Sequence, residues 1–212
     1  MKKIIVLFCL LCILVTTVMA QDVTTQTQLI RPDSKSVAVI LDLPAKIISN
    51  QKMNEMIMNK VQTSFAKPDY YIMPMEKVRL AQTNYCEEHG IPTFVDEHTM
   101  TPTLTMYDLK TLGKTLQADY IYYMSFTAGD VQMAGGMFNS SSATVGNCSV
   151  KVLDMHTEKY VYQKTVTAEG KSTTWFTIGL FGNDYAPEKA YKHALEKCLK
   201  KIVIDPKTFG NA

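Results

Sequence analysis

The stretch Asp119-Tyr120-Ile121-Tyr122-Tyr123-Met124-Ser125-Phe126-Thr127 (DYIYYMSFT, residues 119–127) decides the fold. Tyr, Ile, Phe and Thr suit a pleated backbone, and this run is apolar at both odd and even positions. A strand that alternates buries one side, whereas one that does not alternate is covered on both. Residues 119–127 therefore predict a central strand with helices or neighbours against each face.

Working back from it, Thr103 can cap a helix whose face carries Met106, Leu109, Leu112 and Leu116. Residues 91–103 read as a loop. Gly90 and Pro92 stop an earlier helix that starts after Pro74 and shows Val78, Ala81 and Tyr85 on one face. Asp69–Met73 (DYYIM) is a short strand. Asn50 caps, and Pro68 ends, a helix striped by Met53, Met56, Ile57, Val61 and Phe65. Ser36–Leu43 (SVAVILDL), with Pro44 behind it, is a buried strand. Forward of residue 127, Val145–Leu153 and Tyr160–Ala168 alternate and are joined by the polar turn 154–159, an antiparallel hairpin. Pro187–Ile204 is a closing helix with Ala190, Ala194, Leu195, Cys198, Leu199 and Ile202 inward. The expected order is β-α-β-α-α-β-β-β-α. That is an α/β (α+β) single domain over residues 36–204, with a mixed sheet and helices packed on it. Residues 205–212 read as a C-terminal tail.

The N-terminus carries different information. Lys2 and Lys3 precede the apolar run Ile4–Val15, within the roughly 7–15 residues of a secretory signal's core, and Val18-Met19-Ala20 supplies a cleavage site. Residues 1–20 thus predict a cleavable bacterial-type signal, with the mature chain starting near Gln21. Ile4–Ala20 reaches only the lower bound of the roughly 17–25 residues needed to span a bilayer as a helix. Gln21 is not a cysteine, and Cys9 and Cys12 follow Phe8 and Leu11, so no lipid anchor is expected. Residues 21–35, polar and rich in Thr and Gln, read as a flexible leader. The expected location is periplasmic or secreted.

Once Lys2 and Lys3 are removed, the remaining Lys and Arg of the 22 in the chain equal the 20 Asp and Glu. That balance excludes a broad nucleic-acid footprint, which needs clustered basic excess. No later segment is apolar and long enough for a membrane-spanning helix. Cys86, Cys148 and Cys198 remain after the signal, an odd number that excludes a fully paired framework. Cys148 and Cys198 fall on inward faces and read as core thiols, although the sequence leaves a Cys148–Cys198 bridge open.

The chain resembles a group of bacterial envelope domains. The resemblance is carried by Asp69–Met73 with Pro74, by Gly90-Ile91, by Leu112-Gly113-Lys114-Thr115-Leu116-Gln117-Ala118-Asp119-Tyr120-Ile121, and by Val150-Lys151-Val152-Leu153-Asp154 with Thr157 in the turn. The group includes the amino-terminal domain of TolB, the curli-secretion lipoproteins and the lipoprotein activators of peptidoglycan synthases, and the likeness spans roughly residues 36–204. It implies a non-enzymatic protein that docks an envelope partner or self-associates, with no cofactor and no transferred site residue. Gly129–Gly146 and Lys171–Tyr185 are short for membrane hairpins of about 9–11 alternating residues per strand, and Gly135-Gly136 through Ser140-Ser141-Ser142 is too polar and flexible, which argues against a secretion pore.

Two candidate sites remain. Cys86, Glu87, Glu88 and His89, followed by Asp96, Glu97 and His98, supply thiolate, imidazole and carboxylate groups of the kind that bind zinc. Cys86, His89, Asp96 and His98 are the candidate ligands of an alternative, metal-dependent or hydrolytic enzyme; the spacing matches no standard site, so no metal is expected. A third alternative, a periplasmic small-ligand binder, has no assignable pocket. Gly135-Gly136 lacks the Lys of a phosphate loop, and Ser140–Ser142 and Thr173-Thr174 lack a placed base. His193, with Lys189, Lys192, Glu196, Lys197, Lys200 and Lys201, reads as the wet face of the last helix. Trp175-Phe176-Thr177-Ile178-Gly179-Leu180-Phe181 holds the chain's one tryptophan. Trp175, Phe176, Ile178, Leu180 and Phe181 are the expected partner-binding residues, since aromatic anchors dominate contact energetics.

Overall fold

The β-branched run after Ser34 forms β1 (Lys35–Asp42), with Val37, Ala38, Val39 and Ile40 buried. Asn50 then caps α1 (Gln51–Ser64) by accepting the Met53 N–H at 3.1 Å, and Met53, Ile57 and Val61 turn inward. β2 (Tyr70–Ile72) returns parallel to β1. Pro74 precedes α2 (Met75–Glu88), which stops at Gly90. There φ is 65°, and Ile91 N–H bonds back to Cys86 O at 2.8 Å, a left-handed closure that favours glycine. This computed structural model describes residues 33–44, 47, 50–92, 104–135, 139–175 and 186–211. The signal 1–20 and most of the leader lie outside them.

α3 (Met106–Leu116) is capped by Thr105, not by Thr103. Thr105 Oγ1 accepts the Asp108 N–H at 3.3 Å, while the Asp108 carboxylate accepts the Thr105 N–H at 2.7 Å. The reciprocal pair needs a carboxylate three residues on, and Asp108 stands there for Thr105. β3 (Tyr120–Ala128) follows as the central strand, and Tyr120 through Met124 are all buried. It lies parallel to β1 on one side and antiparallel to β5 (Asn139–Asp154) on the other. β5 pairs along its length with β6 (Lys159–Trp175), and a short β4 (Gln132–Gly135) pairs with β5 beyond the end of β3. Among the described residues the sheet is six-stranded and mixed, in the order β2-β1-β3-β5-β4, with β6 on the other side of β5.

The helices sort onto the two faces by residue parity in the strands. Val37, Val39, Tyr120, Tyr122, Met124 and Phe126 meet α1 and α4 (Ala186–Lys201). Ala38, Ile40, Ile121 and Tyr123 meet α2 and α3. The α/β class and the mixed sheet read from the sequence are what the chain adopts.

Three features depart from the sequence reading. β4 was not foreseen, and the hairpin strands reach well past Val145 and Ala168, to Asn139 and Trp175. The closing residues also do more than trail. A 3-10 helix over Pro206–Asn211 places Phe209 in the core, its ring 5.7 Å from Tyr120 and 6.3 Å from Phe65.

Candidate functional site

The proposed metal cluster does not assemble among the described residues. Cys86 is buried in the α2–α3 core, where burial first and then the Asp108 and Asp42 carboxylates push its thiol up. His89 is exposed at the end of α2, stacked on Tyr85 with 4.1 Å between ring centroids. The core boundary runs between the two residues. Asp96 and His98 lie outside the described residues, and among the described ones no three His, Cys, Asp or Glu side chains are placed to hold a metal ion. Tyr85 is instead a strut: its hydroxyl donates to Asp108 at 2.5 Å, tying α2 to the cap of α3. Burial and that bond together push the phenol up to about 12. Cys148 and Cys198 are free and buried, with Cys148 held up to about 12 by burial.

A serine, an aspartate and a histidine do meet at the opposite end of the sheet. Asp119 accepts from the Ser36 N–H at 2.7 Å and the Ser36 hydroxyl at 2.8 Å, and its other oxygen meets His156 Nε2 at 3.1 Å. The carboxylate sits between hydroxyl and imidazole, whereas activating a serine needs the imidazole in the middle. The cluster is a clasp that joins β1, the entry to β3 and the β5–β6 turn. Burial raises the Asp119 carboxyl, but the bonds from Ser36 and His156 outweigh it and hold the group below its ordinary value. A depressed carboxylate stabilises the fold fully above the unfolded value of about 4, and this is lost as pH falls through the folded one. Thermal stability should therefore drop below about pH 4, and Asp119→Asn should flatten that drop. Asp119→Ala is expected to cost about 2 kcal/mol, since it strips a charged acceptor from partly buried donors. Thermal unfolding across pH checks both.

The most distinctive surface is the long hairpin. β3 pairs with β5 only over 146–154, so residues 139–145 of β5 and their β6 partners 169–175 project beyond it, braced by β4. One face of this arm is close against α4. A Cβ on Gly170 would strike the Ala190 carbonyl and come within 2.5 Å of the Ala194 nitrogen, and one on Gly146 would lie 2.7 Å from the Phe126 ring. Ser142, Thr144 and Ser172 are buried on that side. Thr144 donates to Gly129 O at 2.8 Å, while Ser142 Oγ has no partner among the described residues. Ser142→Ala removes an unsatisfied buried hydroxyl, so it should be neutral or stabilising by up to about 1 kcal/mol in a denaturant melt. The other face is open: Val145, Glu169, Lys171 and Thr173 are exposed there.

The outer edge of β6 is occupied by α4 in a regular way. His193 Nδ1 donates to Lys171 O at 2.6 Å, Lys197 Nζ to Glu169 O at 2.9 Å and Lys201 Nζ to Thr167 O at 3.2 Å. Four residues of helix rise about 6 Å and two residues of strand about 6.6 Å, so donors at i, i+4 and i+8 match carbonyls two apart on an antiparallel strand. The stripe is exposed, as the wet-face reading expects, and three of its side chains in addition lie along a sheet edge. The expected partner-binding residues are placed only in part. The backbone of Trp175 ends β6 opposite Asn139, whereas its side chain and Phe176, Ile178, Leu180 and Phe181 lie outside the described residues.

No known family model matches the sequence, and no curated protein matches it by sequence. Solved structures similar to it include the C-terminal domain of LpoB from Salmonella enterica, 9% identical, covering 64% of this chain and 83% of that one, TM-score 0.33. A lipoprotein of Neisseria meningitidis is 12% identical, covering 66% of this chain and 83% of that one, TM-score 0.33. A minor lipoprotein of Acinetobacter baumannii is 8% identical, covering 84% and 92%, TM-score 0.37. Two of these three structures are described as lipoproteins.

Proposed function

We propose that the chain is an exported, non-enzymatic envelope protein that works as a protein-binding or assembly module, engaging its partner at the outer end of the β5–β6 arm. The observation that carries this reading is the arm itself. Residues 139–145 and 169–175 extend the hairpin past the central strand, and β6 ends at Trp175, where the aromatic segment 175–181 begins. A braced pair of strands holds its outer end at a fixed distance and angle, and the aromatic residues that follow it in sequence are of the kind that supply contact energy. Export rests on residues 1–20, and the periplasm is the proposed compartment. The partner is an envelope protein; a second copy of the chain is the other outcome of the test.

A photoreactive residue at position 175 in intact cells should capture one defined protein. The same residue at Lys110, on α3, should not. Capture of nothing at 175, or equal capture at both positions, rejects the arm tip as the contact. For the alternative enzyme built on Cys86–His98, metal analysis of the purified protein decides: a stoichiometric transition metal would overturn the non-enzymatic reading.

A further inference from the structure

We infer that α4 is an edge guard: His193, Lys197 and Lys201 occupy the outward carbonyls of β6 and so bar a second copy of the chain from adding its own β6 there. The inference stands on hydrogen bonds at the edge and does not depend on what the arm tip binds.

In an antiparallel ladder the N–H and C=O of one residue point to the same side. The carbonyls of Thr167, Glu169 and Lys171 accept from α4 side chains, so they point away from β5, and the N–H groups of the same residues point outward with them. Without α4 this row would be a regular template of alternating donors and acceptors along a long strand, which is the surface on which chains join edge to edge. A carbonyl accepts only, so His193 Nδ1 must carry the proton it shares with Lys171 O. The lysines lay their stems across the edge and close it with their ammonium groups. An incoming strand must strip three hydrogen bonds and bring its backbone against two cations. The occupant barred is the chain's own β6, because the edge of a second copy offers the same spacing of donors and acceptors.

The test uses the full mature chain. The triple variant His193→Ala, Lys197→Ala and Lys201→Ala keeps good helix formers in α4 and removes every donor. It should associate at least tenfold more tightly than the unaltered protein, measured by light scattering over a dilution series. Amide exchange at Thr167, Glu169 and Lys171 should slow on association. A control with Lys192→Ala and Lys200→Ala removes the same lysine charge off the edge and should keep the parent mass. A folded triple variant that keeps the parent mass would overturn the inference, as would equal association by the control. If the triple variant unfolds, Lys197→Met with Lys201→Met keeps the apolar stems and drops only the ammonium donors. Absence of new association in that folded pair would also overturn it.

Discussion

Gly170→Ala is expected to be the most damaging small substitution in the chain, costing about 3 kcal/mol or more and lowering the melting temperature by roughly 6–12 °C. The reason is where the added carbon would go. It would enter the Ala190 carbonyl and approach the Ala194 nitrogen to 2.5 Å. Both are backbone atoms of α4, so no rotamer change relieves the clash and the helix must lift as a body. Lifting it also unseats Ala194, Leu195 and Cys198 from the core and misaligns the donors along β6. Gly113→Ala supplies the contrast. The added carbon there would meet the thioether end of Met155, which can swing aside, and lie 3.2 Å from Ile121 Cγ1, which need give only a few tenths of an ångström. Alanine also gains about 1 kcal/mol over glycine within a helix, so this variant should stay within about 1 kcal/mol of the parent. Parallel thermal melts followed by circular dichroism separate the two cases.

Phe209→Ala should cost about 3 kcal/mol, read as a lowered denaturant midpoint with unchanged slope. Phe209 is 6% exposed and closes an aromatic cluster with Phe65, Tyr70 and Tyr120. The value belongs at the low end for a buried phenylalanine because a short terminal helix can settle partly into the space. Deleting residues 206–212 should destabilise by at least as much. A truncation made on the view that these residues are a tail would yield a weakened protein.

The parts of the fold that could be read from the sequence are those written in hydrophobic pattern. Residues 120–124 declare a strand buried on both faces, and Met53, Ile57 and Val61 declare a helix, because burial selects apolar side chains at the element's own period. The outer arm is written otherwise. Asn139, Ser140, Ser141, Ser142 and Ala143 carry no apolar alternation, and their strand conformation comes from ladder bonds to β4 and β6. Ser142 and Thr144 are buried although hydroxyls at such positions ordinarily mark surface. Phe209 is a single aromatic among Pro206, Lys207, Thr208 and Gly210, and one residue has no period. The 193-197-201 row is exposed, as its i, i+4 spacing implies, but a helix pattern does not name the strand edge that runs beside it. The Cys86–His89 pair failed for a related reason. Residues three apart lie only about 60° apart around a helix, but α2 ends at Glu88 and His89 is its cap, so Cys86 stays in the core while His89 sits at the exposed end.

The continuity of β5 has a mechanical consequence. One strand runs from the arm's outer end at Asn139 to the clasp at Asp154, bonded on one flank to β6 and on the other to β4 and then β3. Tension applied at the outer end along the strand loads the rungs of both flanking ladders together, in shear. Tension applied across the strand would open them one at a time, beginning where β4 is short. The arm is therefore stiff to a pull along its length and compliant to a sideways pry, so a partner fixed at its tip would be held firmly in one direction and could be peeled away from another.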